Sequence, residues 1–270
     1  MVKRRDVTSR EYKVMLSPSR LDGDEATMTA QVQAFWAEFK AALAPLDIPT
    51  TGSFSGVKAR RLIRFFDTDA HSLHSDSYIV REREDIETGE REVTLKFRHA
   101  DRYVAADRRM DAESAAEVKT KFEEDVKPPF VSVFSFSTTL PLESGHVLEQ
   151  VRDVAHLFPG LTEALDELPV DQPLVLVGDF VGHEIVLEGA TLLLGKRDIE
   201  AECALVVWYD EGAADTTPVV AEFSFKYGDD QEDYRGSIAR DAYEILRILQ
   251  GGLDGWVDAK SMTKTAFVYA

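Results

Sequence analysis

The sequence has almost no cysteine and no long apolar run, the features that indicate disulfide bonds and membrane-spanning segments. Its 270 residues include a single cysteine, Cys203, so no internal disulfide can form, and we expect a protein of the reducing cytoplasm. The basic start, Met-Val-Lys-Arg-Arg-Asp, is followed by no apolar run and does not resemble a secretory signal peptide. No stretch is long and apolar enough to span a bilayer, so we expect no membrane partner. No phosphate loop is present either, because no Gly-Lys-Ser/Thr sequence follows the glycine pair Gly251-Gly252.

Positive charge is also scarce, and it is unevenly distributed. The formal net charge is −18, from 31 Lys and Arg against 49 Asp and Glu. Residues 57–110 hold 12 basic and 11 acidic side chains, whereas the remainder holds 19 and 38. So acidic a surface repels nucleic acid and anionic lipid, which excludes nucleic acid as an expected partner. The basic groups in the middle of the chain therefore indicate an enclosed site for a small, highly charged anion.

Those basic groups lie on consecutive segments that have the pattern of β-strands. Side chains at positions i and i+2 of a strand share one face, so Arg81 pairs with Arg83, and Lys96 pairs with Arg98. Several cations on one face of a sheet repel one another unless an anion lies between them. The spacing therefore predicts a site for a polyanion.

Strand patterns dominate the rest of the chain, with few helices between them, which favours an α+β protein with a mainly antiparallel sheet. A closed barrel would place alternate side chains in a lumen, where a polar site can form. We expect one domain over residues 1–270. The predicted strands cover about Glu11–Leu16, Ala59–Phe66, Ser77–Asp85, Glu92–His99, Phe130–Thr138, Leu174–Leu187, Ala190–Leu194, Glu200–Tyr209, Val219–Tyr227 and Lys264–Ala270, and the predicted helices cover about Thr29–Leu43, Ser144–Leu157 and Gln231–Gln250.

The order of several short motifs resembles the CYTH superfamily, the triphosphate tunnel metalloenzymes. Ser9-Arg-Glu-Tyr-Lys13 is similar to the family's Glu-x-Glu-x-Lys strand, and Phe65-Phe-Asp-Thr68, preceded by Arg64, is similar to its aromatic-Asp-Thr strand. Glu222-Phe-Ser-Phe-Lys226 resembles its late Glu-x-Glu strand. The remaining matches are the Arg-x-Arg pair Arg81 and Arg83, the strand lysine Lys96, the upstream arginine Arg197, the strand end Val207-Trp-Tyr-Asp210 and the C-terminal Lys264.

The resemblance implies both a fold and a chemistry. The fold would be a closed, mainly antiparallel barrel of eight strands with flanking helices, and the segments near 100–130 and 140–190 would be insertions. The chemistry would be metal-dependent hydrolysis of inorganic tripolyphosphate or of an organic triphosphate such as thiamine triphosphate. Mg²⁺ or Mn²⁺ would be held by Glu11 and Glu222, while Lys13 and Asp210 would assist catalysis. The phosphate chain would contact Arg64, Arg81, Arg83, Lys96, Arg98, Arg197, Lys226 and Lys264.

Two serines depart from the family pattern. Ser9 and Ser224 stand where the family has glutamates, and a neutral hydroxyl is a poor replacement for a metal-bound carboxylate. Two functions therefore stay open, a triphosphatase and a tunnel that binds polyphosphate or a phosphorylated metabolite without turnover. An unrelated antiparallel barrel or sandwich with charged outer faces is a third interpretation, and the oligomeric state is left open. The carboxylates that could compensate from other strands are Glu123, Glu124, Glu200 and Glu202.

Overall fold

The computed structural model describes residues 5–113, 117–164, 170–197, 199–211, 216–251, 253, 255–258 and 262–270. Within these ranges the chain forms ten strands, most of them long and rich in Val, Phe, Leu and Tyr. They are β1 (Ser9–Leu16), β2 (Thr50–Gly52), β3 (Val57–Asp67), β4 (Tyr78–Asp85), β5 (Arg91–His99), β6 (Lys119–Lys127), β7 (Val131–Leu142), β8 (Val175–Leu194), β9 (Ile199–Asp210) and β10 (Val220–Gly228).

Nine of these strands close into a barrel. Their order around the ring is β8-β3-β4-β5-β7-β6-β1-β10-β9, and the ring closes through pairing of β9 with β8. The short strand β2 lies outside the ring on β8. Neighbours in the ring are antiparallel except β1 and β6, which run parallel. The expected α+β barrel is confirmed, but the expectation of eight antiparallel strands is wrong, because the closed barrel is nine-stranded and mixed.

The sequence pattern predicts neither the short strand β2 nor β6, the barrel strand that runs parallel to β1. Residues 119–127 read Lys-Thr-Lys-Phe-Glu-Glu-Asp-Val-Lys, which has only Phe122 and Val126 as buried apolar side chains. A strand whose inward face is charged lacks the apolar alternation by which strands are normally recognised. β6 nevertheless pairs with β7 along its full length and with β1 over Ser9–Tyr12.

Helices cover the outside of the barrel and bury its outward-facing side chains. Phe223 on β10 packs against Phe35 and Phe39, with ring centroids 5.1 and 5.4 Å away. Burying a phenylalanine in this way contributes about 1.5–3 kcal/mol. The outward residues of β10 supply its apolar packing, so polar residues on its inward face do not disrupt the core. The helices are α1 (Glu25–Leu43), α2 (Ser72–Ser75), α3 (Arg102–Ala106), α4 (Val151–Leu157), α5 (Gly160–Ala164), α6 (Gly236–Gly251) and α7 (Lys264–Val268), with short 3-10 helices at Pro18–Leu21, Ala44–Leu46 and Gly195–Arg197.

The C-terminal segment is helical, so the prediction of a final strand over 264–270 is wrong. Thr263 caps the helix α7, its hydroxyl accepting a hydrogen bond from the Ala266 amide. The segment is fastened beyond the helix by Tyr269, whose hydroxyl donates to Asp67 Oδ2 at 3.2 Å and whose ring stacks on His74 at 4.0 Å. This attachment holds the start of α7 against the barrel lumen. Within the described ranges no helix combines the length and apolarity that crossing a membrane needs.

A charged tunnel as the candidate functional site

The inward faces of the strands enclose a cavity of about 690 Å³ inside the barrel. Alternation along each strand decides which residues reach it, since i and i+2 share a face. On β4, for example, Arg81 and Arg83 face the cavity, whereas Glu82 faces outward and binds Arg64 and Arg91. The cavity is therefore lined by charged side chains. Its described cations are Lys13, Arg61, Arg81, Arg83, Lys96, Arg98, Lys119, Lys121, Lys127, Lys226 and Lys264, and its described carboxylates are Glu11, Glu92, Glu123, Asp125, Glu188, Glu202, Glu222 and Asp258.

One side of the lumen, which we call the cationic wall, consists of Arg61, Arg81, Arg83, Lys96 and Arg98 on β3, β4 and β5. Antiparallel pairing brings these strands together, with Arg81 opposite Phe65 on one side and Thr94 on the other. The three strands are adjacent in the sheet, because β4 pairs with β3 along one edge and with β5 along the other. The wall therefore concentrates five positive charges on one curved surface.

A buried glutamate beneath the wall forms ion pairs with two of its arginines. Glu184 on β8 lies 3.3 Å from Arg61 Nη1 and 3.2 Å from Arg83 Nε, and it accepts a hydrogen bond from Trp208 Nε1 at 3.1 Å. Burial disfavours its charge, but Arg83 and other cations outweigh that effect and lower the pKa of Glu184. Glu184 is thus an ionised structural anion behind the wall.

Arg81 is the cation of the wall with the least compensation. Among the described residues no carboxylate forms an ion pair with it, and its buried Nε makes no hydrogen bond. Burial and the positive charge of Arg83 lower the pKa of Arg81, which means that its surroundings disfavour the charged form. A guanidinium in this state has hydrogen-bond donors and charge available for an anion in the lumen.

Lys96 and Arg98 share one distant carboxylate. Each has a nitrogen 3.8 Å from Asp125 Oδ2. Arg98 also donates to the Thr265 hydroxyl at 3.1 Å. Burial lowers the pKa of Lys96 to about 8, against the opposing effect of Asp125 and with the support of Arg98. Lys96 is thus a lysine whose charge an added anion would stabilise.

A second group of lumen residues, which we call the ion-paired wall, consists of Glu11, Lys13, Asp125, Glu222 and Lys264, and it adjoins the cationic wall at Asp125. Lys13 Nζ lies 2.9 Å from Glu11 Oε2 and 3.0 Å from Asp125 Oδ1, and Lys264 Nζ lies 2.8 Å from Glu222 Oε1. The register of β1 and β6 produces the contact of Lys13 with Asp125, because Asp125 lies directly beside Glu11, two residues before Lys13 on the same strand face.

The charges of the ion-paired wall stabilise one another. Burial disfavours the ammonium of Lys13, but Asp125 and Glu11 outweigh it and raise the pKa of Lys13. Burial likewise opposes the carboxylate of Asp125, but Lys13, Lys96 and Arg98 outweigh it and lower the pKa of Asp125 well below its usual range. The pKa of Glu11 is lowered against burial chiefly by Lys13. These groups are therefore fully charged at neutral pH.

The structure brings together nine of the twelve site residues predicted from the sequence. Arg64 lies on the outer face of β3, where its Nη1 contacts Glu82 and Glu84 at 2.9 Å each. Asp210, at the end of β9, is not among the residues that line the cavity. The side chain of Arg197 is outside the part of the structure that is described. The nine that line the cavity are Glu11, Lys13, Arg81, Arg83, Lys96, Arg98, Glu222, Lys226 and Lys264.

The carboxylates that face the lumen near the two serines come mainly from β6. The hydroxyl of Ser9 donates to Glu123 Oε1 at 2.7 Å, so the neighbouring strand places a carboxylate where the family pattern has a glutamate. Glu202 lies opposite Lys226 and lines the cavity, whereas Glu124 faces outward and contacts Arg10 at 2.6 Å. The sequence reasoning missed Arg61, Asp125, Lys119, Lys121 and Lys127 as lumen residues, although the period-2 spacing of Lys119, Lys121, Glu123 and Asp125 is a signal for a charged inward face.

The expected divalent metal fits these residues poorly. Mg²⁺ and Mn²⁺ prefer several carboxylate oxygens around one ion. Among the residues that the structure describes, no group of three or more His, Cys, Asp or Glu side chains is arranged to hold a metal ion. Glu11 and Glu222, the predicted ligands, each contact a lysine instead. The Mg²⁺ or Mn²⁺ dependence therefore stays a prediction from the resemblance.

Comparisons with known proteins find similarity in structure but not in sequence. No protein-family model matches the chain, and no curated protein matches it significantly. A proposed adenylate cyclase from Bacillus halodurans is 14% identical, with 99% of this chain and 100% of that chain covered and a TM-score of 0.45. A proposed adenylyl cyclase from Hippeastrum with a dominant triphosphatase activity is 14% identical, with coverages of 97% and 95% and a TM-score of 0.41. A proposed adenylate cyclase from Vibrio parahaemolyticus is 8% identical, with coverages of 98% and 100% and a TM-score of 0.38.

Identities of 14% or less and TM-scores of 0.45 or less leave the function of this chain to its own residues. Those residues line an enclosed lumen. Its cationic wall has fewer carboxylates than cations, whereas the cations of its ion-paired wall contact carboxylates directly.

Proposed function

We propose that the barrel binds a triphosphate chain in its lumen and hydrolyses it. The substrate is inorganic tripolyphosphate or an organic triphosphate such as thiamine triphosphate. The observation that carries the proposal is Arg81, an inward-facing guanidinium without an ion pair among the described residues, in a wall with four further cations. A phosphate chain offers many closely spaced anionic oxygens, which is the arrangement that arginine forks and lysine ammonium groups bind best.

The enclosure of the site favours a compact polyanion over a nucleic acid. The protein carries a net charge of −18, and the positive wall lies inside a cavity of about 690 Å³. A nucleic-acid site instead needs an exposed basic surface along which the backbone can run. We therefore propose a small-molecule ligand, with no nucleic acid or membrane as partner.

Hydrolysis would proceed by attack of water on a terminal phosphorus. The bond from that phosphorus to the bridging oxygen breaks, and the diphosphate leaves with the bonding electrons. The cationic wall stabilises the charge on the phosphate oxygens, and Lys13, which also lines the lumen, can approach the chain. A carboxylate that lines the lumen, such as that of Glu222, accepts the proton of the water.

A second candidate function is binding without turnover. It is favoured by the ion pairs of Glu11 with Lys13 and of Glu222 with Lys264, which engage the carboxylates that hydrolysis would use. A protein of this kind would sequester or sense a phosphate chain. The triphosphatase activity of the Hippeastrum protein is the reaction class of the first candidate, but the low similarity adds no weight to it.

A phosphate-release assay distinguishes the two candidates. Purified protein is incubated with tripolyphosphate, thiamine triphosphate or ATP, in EDTA, Mg²⁺ or Mn²⁺, and compared with an Arg81→Ala variant. Release by the wild type that is lost in the variant supports hydrolysis in the lumen. Binding of tripolyphosphate by calorimetry with no release under any condition supports the second candidate. A protein that neither binds tripolyphosphate nor releases phosphate from it overturns both candidates.

A further inference from the structure

Lysine ammonium groups contact the lumen carboxylates that a metal cation would need as ligands. We call the place that each ammonium takes a cation position. Lys13 Nζ lies within 3.0 Å of both Glu11 and Asp125, and Lys264 Nζ lies 2.8 Å from Glu222. These are the distances of direct, charge-assisted hydrogen bonds. Lys13 comes from the same strand as Glu11, whereas Lys264 is brought in from α7, so two separate elements deliver an ammonium to a lumen carboxylate.

A divalent ion would have to displace these ammonium groups to reach the carboxylates. Glu11 and Asp125 are adjacent across the β1–β6 register, and the group between them is Lys13. A displaced Lys13 would remain in the enclosed lumen beside a dication, and like charges at short range in such a space repel strongly. Mg²⁺ also gives up its bound water reluctantly, which adds to the cost of entering the pair.

The charge balance of the lumen points the same way. The described residues that line it comprise eleven cations and eight carboxylates, a surplus of three positive charges before a metal is added. Glu184 behind the cationic wall reduces that surplus to two. A divalent ion would increase a surplus that only an incoming anion relieves.

We propose that the barrel recognises the metal-free phosphate chain, with the ammonium groups of Lys13 and Lys264 supplying the countercharge that a divalent ion would otherwise provide. This inference rests on the proposed binding of a phosphate chain in the lumen. In it, Glu11, Asp125 and Glu222 position the two lysines, and the chain contacts those lysines together with the cationic wall. Mg²⁺ in solution then competes with the protein for the phosphate oxygens.

Calorimetric titration of tripolyphosphate in excess EDTA and in excess Mg²⁺ tests the inference. The expected result is binding in EDTA that is at least as tight as binding in Mg²⁺. Binding that requires Mg²⁺ or Mn²⁺ overturns this inference while leaving the proposed phosphate site intact. Absence of binding in every condition overturns the proposed function, and the inference with it.

A variant tests the role of Lys13 separately, using Mn²⁺ alone as the probe. Lys13→Met removes the ammonium but keeps a side chain of similar length, which frees Glu11 and Asp125 for a metal. Electron paramagnetic resonance titration is expected to show Mn²⁺ binding at least tenfold tighter for Lys13→Met than for the wild type. The control is Lys58→Met, on the exposed outer side of β3, which is expected to behave as the wild type. Wild-type protein that binds Mn²⁺ as tightly as Lys13→Met overturns the assignment of Lys13 to the cation position.

Discussion

The two charged walls of the lumen differ in how far their charges are matched. In the ion-paired wall, both lysines lie within 3.0 Å of a carboxylate. In the cationic wall, Arg81 has no such partner among the described residues, and Lys96 is 3.8 Å from the nearest one. Charged groups are costly to bury without compensation. The less compensated cationic wall, and Arg81 above all, therefore indicates where an anionic ligand binds, whereas the charges of the ion-paired wall are already balanced by one another.

The largest expected effect comes from removing the least compensated cation. Arg81→Ala should raise the Kd for tripolyphosphate by about 100-fold, because hydrogen bonds to charged groups contribute about 1.5–3 kcal/mol each. Arg64→Ala is the matched control, since Arg64 lies on the outer face of the neighbouring strand and its buried partner Glu82 keeps Arg91. Calorimetry should show the control within twofold of the wild type. Equal affinities for Arg81→Ala and the wild type would place the ligand elsewhere.

An opposite change is expected on the ion-paired wall. Asp125→Asn removes a negative charge that faces Lys13, Lys96 and Arg98, so the lumen becomes more positive. Tripolyphosphate should bind about tenfold more tightly, equivalent to about 1.4 kcal/mol, while the melting temperature without ligand falls.

The control for this change is the neighbouring residue on the same strand. Glu124→Gln alters the same formal charge, but Glu124 faces outward and contacts Arg10. Its effect on the Kd should be within twofold. A weaker complex with Asp125→Asn would show that Asp125 orients the cations more than it competes with the ligand.

A smaller effect is expected from pH, through Lys96. Its pKa is lowered to about 8 by burial, opposed by Asp125, and a bound anion would raise that pKa again. Below pH 8 the ammonium of Lys96 is present, and tripolyphosphate binds with full affinity. As the pH rises through 8 toward the pKa of Lys96 in the complex, the Kd for tripolyphosphate should increase severalfold. Binding near pH 8.5 should take up a proton, which calorimetry in buffers of different ionisation enthalpy measures. A pH profile unchanged by Lys96→Met would remove Lys96 from the interaction.

The smallest effect is expected at the exposed end of β6. Lys119 and Lys121 lie on the same strand face as Asp125 but are exposed to solvent. Exposed charges contribute about 0.2–1 kcal/mol, so the double replacement by alanine should raise the Kd for tripolyphosphate by about twofold to fivefold. A loss of affinity for tripolyphosphate as large as that caused by Arg81→Ala would indicate that the ligand binds at the rim of the lumen and not in its depth.

The cationic wall could be predicted from the sequence because its strands alternate charged and apolar residues. On β5, for example, Lys96 and Arg98 alternate with the buried Leu95 and Phe97, so both the strand and its inward face are visible. The amphipathic helix predicted at Thr29–Leu43 is likewise confirmed as the greater part of α1.

The ion-paired wall could be predicted only in part, because it depends on pairing between distant segments. Glu11 and Asp125 become neighbours through a parallel register that no local pattern encodes. β6 has few apolar residues, and the C-terminal segment carries a short helix where alternation suggested a strand. The sequence therefore predicts roles for Lys13 in catalysis and for Lys264 in phosphate binding, and it does not reveal that both also contact carboxylates.

The central claim is that the lumen binds a phosphate chain through Arg81 and the other cations of the cationic wall. Calorimetric titration of tripolyphosphate and of orthophosphate into the wild-type protein tests it most directly. We predict one site per chain, a Kd for tripolyphosphate at least about 100-fold lower than for orthophosphate because more cations are engaged, and weakening of the complex as salt increases. Equal affinities for the two anions, or no binding of tripolyphosphate at low salt, would contradict the account.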